Sequence, residues 1–250
     1  MSRLEIDLGN SRAKWRLPAL SLSGNLPSNA LTAADELPPE WAGLQVTSIW
    51  LGSVLAEADT ESAIAKLQRF FACDVHRAYS SPAAPGLING YAEPSRLGVD
   101  RWLALLAARQ HRGGDLVVVD AGTAITLDLV RADGTHLGGY ILPGVARQAQ
   151  SLWGGTGRVQ VERAAMQPRF TPGQTTQECV AAAITAAIAG LCLLARQSLP
   201  EAAWCLTGGD ADWLAAICGE LHLSHAFYPD LVLDGLAWAQ MQVYPAPQLN

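Results

Sequence analysis

The sequence predicts an α/β protein of two related halves, residues 1–113 and 114–250, with a central cleft between them. Three observations predict it. Residues Leu4–Leu17 (LEIDLGNSRAKWRL) and Leu116–Val130 (LVVVDAGTAITLDLV) follow one plan: an apolar run ending in Asp (Asp7, Asp120), one small or apolar residue, a Gly (Gly9, Gly122), small polar residues, then alternating apolar positions. Each reads as strand, tight turn, strand. The segments after each hairpin repeat the same order of extended and helical stretches, which suggests an internal duplication. Finally, Gly113-Gly114 ends a helical pattern immediately before the second hairpin begins.

Taken in order, the first half reads as the hairpin Leu4–Leu17, a Pro/Ser/Asn-rich stretch, a strand near Val46–Val54, a helix from Thr60 to Ala72 and a short strand around Val75. A Pro/Gly/Asn-rich loop from Ser80 to Ser95 then leads to a helix from Arg101 to Arg109. The stretch Pro18–Glu40 is rich in Leu, Pro and Ala and shows no periodicity. The second half reads as hairpin, an extended segment through Gly138–Leu142, a long helix from Thr176 to Gln197, a strand at Ala203–Leu206 and a helix after Gly209. Cys179–Ala195 (CVAAAITAAIAGLCLLA) carries no charge. At 17 residues it falls short of the roughly 18 to 20 that a bilayer needs, and its Ala, Thr185 and Gly190 suit a buried core helix with close packing, so no membrane association is expected.

Composition narrows the function. Half of the 250 residues are hydrophobic and 16% are charged, enough apolar material for a large core. The net charge of −6 and the absence of a basic block exclude a general nucleic-acid surface. The N-terminus enters a strand almost at once, without the charged and apolar regions of a secretory signal, so the expected location is cytoplasmic. Five scattered cysteines without a C-x-x-C pair read as reduced core thiols. His222 and His225 form an H-x-x-H spacing with no third and fourth ligand nearby in sequence.

The hairpin turns carry the chemistry. Glycine lets backbone approach a ligand, flanking N–H and hydroxyl groups hold phosphate oxygens, and an Asp at a strand end can hold a cation. One D-x-G turn is an ordinary structural feature, but two with matched flanks suggest a phosphate clamp. Neither G-x-x-x-x-G-K-[ST] nor G-x-G-x-x-G is present, so this is not a P-loop or a Rossmann turn. Asp7 would hold Mg²⁺ directly or through water, and Leu8, Gly9, Asn10 and Ser11 form the turn over the phosphates. Lys14 on the return strand can point its ammonium back at them, in a chain whose positive charge is mostly arginine. Asp100, just after Gly98 and at a helix entrance, can reach a substrate hydroxyl; helix capping explains it equally well on local chemistry alone. Its neighbour Arg101 offers a planar fork for an anionic or amide-bearing substrate.

The early D-L-G-N-S and the later D-A-G-T, with L-T-G-G-D at 206–210, resemble the superfamily of acetate and sugar kinases, Hsp70 and actin, in which two ribonuclease-H-like halves close on ATP. Within it, N-G-Y-A-E-P-S-R-L-G-V-D-R at 89–101, D-L-G-N-S-R-A-K, D-A-G-T-A and G-G-Y-I-L-P-G resemble the type III pantothenate kinase family, in the family's order from Asp7 to Gly209. The resemblance implies an ATP-dependent kinase that phosphorylates the primary hydroxyl of pantothenate, the first step towards coenzyme A. It further implies a divalent metal, K⁺ or NH₄⁺, and a homodimer with the substrate site at the subunit interface. Carried over by position, Asp100 is the base, Asp120 the monovalent-cation ligand and Thr123 an ATP contact. Tyr91, Gly98, Val99, Asp100 and Arg101 meet the substrate, as does Thr176, whose neighbour Thr175 leaves a one-position ambiguity. Gly138, Gly139, Pro143 and Gly144 shape a loop beside the phosphates or serve as a plain turn. Two other readings stand beside this one: a kinase for another small hydroxy or carboxy acid, and a non-catalytic accessory or regulatory protein on the same fold.

Overall fold

The computed structural model describes residues 2–33, 37–152 and 166–246. The chain forms two compact units, one made of Met1–Pro85, Tyr91–Ala107 and Leu231–Asn250, the other of Gly86–Gly90 and Ala108–Asp230.

The first unit opens with β1 (Arg3–Leu8), β2 (Arg12–Leu17) and β3 (Leu22–Pro27), an antiparallel meander. A short helix α1 (Asn29–Thr32), β4 (Ser48–Ser53), helix α2 (Glu57–Phe71), β5 (Asp74–Tyr79) and the two-residue β6 (Ala83–Ala84) follow. Helix α3 (Val99–His111) contributes its residues to Ala107, and the C-terminal segment returns as α7 (Leu231–Gly235) and β13 (Gln240–Tyr244). The six-stranded sheet runs β13-β5-β4-β1-β2-β3, with β4 and β5 parallel to β1 and β13 antiparallel at the edge. Alternation sorts its faces: Leu4, Ile6 and Leu8 point into a core with Ile49, Leu51, Trp15 and Trp41, whose rings meet edge to face at 5.6 Å. Helix α2 lays Thr60, Ala63, Ile64 and Leu67 inward, carries Glu57 and Asp59 in its first turn, and ends on Ala72 in the left-handed region at φ 50°.

The second unit has β7 (Leu87–Ile88), then β8 (Leu116–Ala121), β9 (Ala124–Val130) and β10 (His136–Pro143), again an antiparallel meander. Helices α4 (Val145–Ser151) and α5 (Thr176–Ser198) precede β11 (Ala203–Thr207), helix α6 (Ala211–Glu220) and β12 (His225–Phe227). Its sheet runs β10-β9-β8-β11-β12, with β11 parallel to β8 and β12 parallel to β11. That is the order β3-β2-β1-β4-β5 of the first sheet, so the repeated hairpins open two copies of one topology.

Most expected elements form where the sequence places them. The unpatterned stretch after Pro18 holds β3, which is mostly exposed and buries only Leu26. Helix α5 has a mean hydropathy of 2.1 over an 18-residue window and is long and apolar enough to cross a membrane by length and composition. It lays Val180, Ile184, Ile188, Cys192 and Ala195 into the core of its own unit, while Ala183, Ala186, Ala187 and Leu194 remain exposed. His222 takes the left-handed conformation at the exit of α6, φ 54°, and His225 opens β12 with its ring 2.9 Å from the Leu223 carbonyl.

The cysteines depart from expectation at one position: Cys179, in the first turn of α5, is exposed, because that turn projects beyond the core face. The other four are buried. Burial pushes the thiols of Cys73 and Cys205 up to about 11 and those of Cys192 and Cys218 up to about 12, far from the thiolate that reacts. A chromogenic disulfide reagent is therefore expected to titrate one thiol quickly in the native protein and all five after unfolding, and Cys179→Ser to remove the fast phase. Two or more fast thiols would contradict this burial.

Candidate active site

Asp7 is the fifth residue of β1, half-buried, opposite Lys14 on β2 and beside Gly52 on β4. Opposite residues of an antiparallel pair share a face with Cβ atoms about 4.5–5.5 Å apart, so the two side chains leave the sheet side by side. The turn beyond closes by Gly9 N–H donating to the Arg12 carbonyl at 3.1 Å, with Asn10 and Ser11 exposed at its tip and Leu8 in the core. Ser28 braces the turn from β3's end: its hydroxyl donates to the Gly9 carbonyl at 2.6 Å and its N–H to the Ser11 carbonyl at 3.3 Å. Sequence reasoning missed Ser28, which sits in the unpatterned stretch and carries no motif.

A second cluster in the same unit gathers around the start of α3. Arg101 is buried, and its Nη1 donates to the Tyr91 hydroxyl at 2.6 Å with the guanidinium carbon 5.4 Å from the ring centroid. The Asp100 carboxylate accepts the Arg101 N–H at 2.7 Å. A Cβ on Gly98 would come within 2.6 Å of Asp100 Oδ1, so a larger residue there would have to displace that carboxylate. Val99 is buried and serves packing. The cluster shares a sheet face with Asp7. Gly52, in register with Asp7, has Leu103 of α3 filling the place of its missing side chain, with Leu103 Cδ1 only 2.8 Å from where a Cβ would stand. Leu103 lies one helical turn beyond Asp100.

The second unit repeats the arrangement. Asp120 is the fifth residue of β8, half-buried, in register with Thr126 on β9 and Thr207 on β11. Its turn closes by Gly122 N–H donating to the Ala124 carbonyl at 2.9 Å and leaves Thr123 exposed. Two other turns press on it. Gly144, just after Pro143, donates to the Thr123 carbonyl at 3.0 Å, and a Cβ on it would overlap the Gly122 carbonyl. Gly208, at φ 95°, stands where a Cβ would lie 2.5 Å from Asp120 Oδ1, and Asp210 N–H donates to the Ala121 carbonyl at 2.8 Å. Gly138 takes φ 95° within β10, and Gly139 pairs with Asp128. At the start of α5 the cap is Thr175, whose hydroxyl accepts the Glu178 N–H at 3.2 Å. Thr176 is the first helical residue and is exposed, so it is not the helix cap.

A model of the type III pantothenate kinase family matches residues 3–195. The chain belongs to the type III pantothenate kinase family. The type III pantothenate kinase of Pseudomonas aeruginosa strain LESB58 is 37% identical over 247 residues, 94% of this chain and 98% of the relative. As a member of this family the chain is an enzyme, a kinase phosphorylating pantothenate in coenzyme A biosynthesis. Among solved structures, a Campylobacter jejuni protein described as a Baf-family transcriptional activator aligns with TM-score 0.61 and 21% identity, covering 94% of this chain and 95% of that one. A Sinorhizobium meliloti protein described as a 2-dehydro-3-deoxygalactonokinase aligns with TM-score 0.59 and 14% identity, covering 94% of both chains. These likenesses show the fold, the actin-like ATPase fold with the two sheets as its halves.

Crowding at Gly208 yields a stability prediction for this kinase. Gly208→Ala would force a left-handed alanine against the Asp120 carboxylate and the Ala121 carbonyl. It is expected to destabilise the protein by more than about 1 kcal/mol in urea unfolding, whereas Gly209→Ala, with open space around its Cβ, is expected to change little.

Proposed function

We propose that this kinase transfers the γ-phosphoryl group of ATP to the primary hydroxyl of pantothenate with Asp100 as the base, giving 4′-phosphopantothenate. The observation that carries this reading is the Tyr91–Arg101–Asp100 cluster, on the same sheet face as Asp7 and Lys14. Phosphoryl transfer asks a protein for positioning and charge neutralisation far more than for covalent chemistry. The Gly9–Ser11 turn offers N–H and hydroxyl groups to phosphate oxygens, and Lys14 offsets their charge from the neighbouring strand. Asp100 accepts the hydroxyl proton as the bond to phosphorus forms. In a loose transition state that proton leaves late, so an ordinary carboxylate suffices. Arg101 and Tyr91 hold the acceptor, the guanidinium facing its carboxylate or amide, with Gly98 and Val99 shaping the wall and Thr176 adding a hydroxyl. In the second turn Thr123 contacts ATP, and Asp120 serves a different ion from Asp7.

The donor set suits the ions the family implies. Asp7, in register with Lys14, and Asp120, in register with Thr126 and Thr207, are each single carboxylates, and no group of three or more His, Cys, Asp or Glu occurs among the described residues. That composition fits Mg²⁺, which keeps several waters and shares phosphate oxygens, with Asp7 holding it directly or through water. Bound there, the ion neutralises phosphate charge. Asp120 would hold K⁺ or NH₄⁺. A homodimer is supported by the exposed Ala183, Ala186, Ala187 and Leu194 of α5, small and apolar on the face away from the core. The acidic balance, with no basic patch, supports a cytoplasmic enzyme acting on a small molecule, without nucleic acid or membrane.

Coupled ATP turnover tests this reading. Turnover is expected to require pantothenate and Mg²⁺ and to be faster with K⁺ or NH₄⁺ than with Na⁺. Asp100→Asn is expected to lower kcat by about 10²- to 10⁴-fold with an unchanged unfolding midpoint, and near-normal turnover in that variant would remove Asp100 from its role.

A further inference from the structure

A buried histidine outside the proposed catalytic set holds the chain immediately before Tyr91. The Gly86–Gly90 segment belongs to the second unit, and Tyr91 is the next residue. The segment lies on the β9–β10 turn almost without intervening side chains. Ile88 N–H donates to the Gly134 carbonyl at 2.9 Å, and Ile88 bridges to Thr135 in parallel. A Cβ on Gly134 would overlap the Gly86 carbonyl, and one on Gly90 would overlap the His136 carbonyl. Leu87 and Asn89 are buried.

His136 supplies the last tether. Its side chain is fully buried, its Nε2 lies 2.9 Å from Asp128 Oδ1, itself buried on β9, and its Nδ1 receives the Gly90 N–H at 3.4 Å. An Nδ1 that accepts must carry a lone pair, so the ring proton sits on Nε2 and is donated to Asp128. The carboxylate thereby fixes both the tautomer and the orientation of the ring, and the ring fixes Gly90. The peptide that leaves Gly90 is the one that begins Tyr91, whose hydroxyl meets Arg101.

We infer that His136, oriented by Asp128, is a positioning residue for the pantothenate site: it pins Gly90 and so sets where Tyr91 presents its ring and hydroxyl. The inference rests on the reading of Tyr91 as a substrate contact. It is a role for a residue outside the proposed phosphate turns and acceptor cluster, and it explains why a polar pair is kept buried between β9 and β10 where an apolar pair would pack.

The test is His136→Gln, whose amide replaces Nε2 towards Asp128 but has no acceptor at the Nδ1 position, beside His136→Asn, whose amide oxygen restores that acceptor. In His136→Gln the KM for pantothenate is expected to rise about tenfold while kcat and the KM for ATP stay within about twofold. Hydrogen exchange in the peptide covering 87–91 is expected to accelerate with strand β8 unaffected, and His136→Asn to recover most of both effects. An unchanged pantothenate KM together with unchanged exchange in His136→Gln would overturn the proposal. So would rapid exchange of 87–91 in the unsubstituted protein, a result independent of whether the variants fold. Tyr91→Phe measured in parallel separates the two readings. If exchange accelerates in His136→Gln but pantothenate KM is unmoved there and in Tyr91→Phe, the role of Tyr91 has failed. If Tyr91→Phe raises KM and His136→Gln does not, the positioning role of His136 is overturned.

Discussion

The register of β1 against β2 is the constraint on which the chemistry proposed for the first unit depends. On one face this register pairs Glu5 with Arg16 and Asp7 with Lys14, two successive acid–base pairs; on the other it pairs Ile6 with Trp15 and Leu8 with Ala13, all in the core. A slip of one residue would turn both charged pairs into the core and both apolar pairs out of it. Glu5 makes that slip especially costly, because it is almost fully buried yet stays compensated by ion pairs to Arg3 and Arg16. Burial works against the Arg16 charge, but hydrogen bonds to Asp234 and Glu5 outweigh it and raise its pKa above the ordinary value. The Asp234 contact, at 2.6 Å, ties α7 to the hairpin as well. Removing one member of such a network strands a buried charge, which typically costs about 3–5 kcal/mol, so the network holds Asp7 and Lys14 at a defined place as a by-product of holding itself together.

The second unit reaches the same end by other means. In register with Asp120 stand Thr126 and Thr207. Backbone crowds it, with Gly208 against the carboxylate and Gly144 against the Gly122 carbonyl. The contrast suits the division of labour proposed for the two turns. A carboxylate already beside an ammonium suits a highly charged polyphosphate and its divalent ion, while a carboxylate among hydroxyls and carbonyls suits a weakly held monovalent ion.

Much of this was legible in the sequence, and the limits follow from physics. The hairpins were readable because strands buried on one face alternate and because D-x-G turns punctuate them; α2, α3 and α5 were readable from their apolar periodicity. Strands β3, β12 and β13 were not, since short edge strands bury few side chains: β3 buries Leu26 alone, and β12 has no buried residue. That the last strand pairs with β5 of the first sheet is a contact over 160 residues of chain, which no local pattern encodes. Asp7 stood out through its repeated D-x-G turn, and Asp100 and Arg101 through the motif resemblance at 89–101, local chemistry alone leaving a helix cap as good a reading. Ser28 and the His136–Asp128 pair did not, because bracing a turn or orienting a ring leaves no motif, only a distance.

The proposed roles differ in how much they ask of side chains. The two turns proposed to meet phosphate are made mostly of backbone, with glycines at the crowded points, and backbone N–H groups meet a phosphate the same way whatever the acceptor. A structure with 14% identity retains the fold across 94% of the chain. The cluster proposed to hold the acceptor is made of side chains, Tyr91, Asp100 and Arg101, gathered at the start of α3. Phosphate binding can persist through large sequence change, because what it needs is small residues in fixed places. Acceptor choice cannot, because it rests on the orientation of a few buried polar groups, each of which loses its purpose if its neighbour moves by an ångström or so.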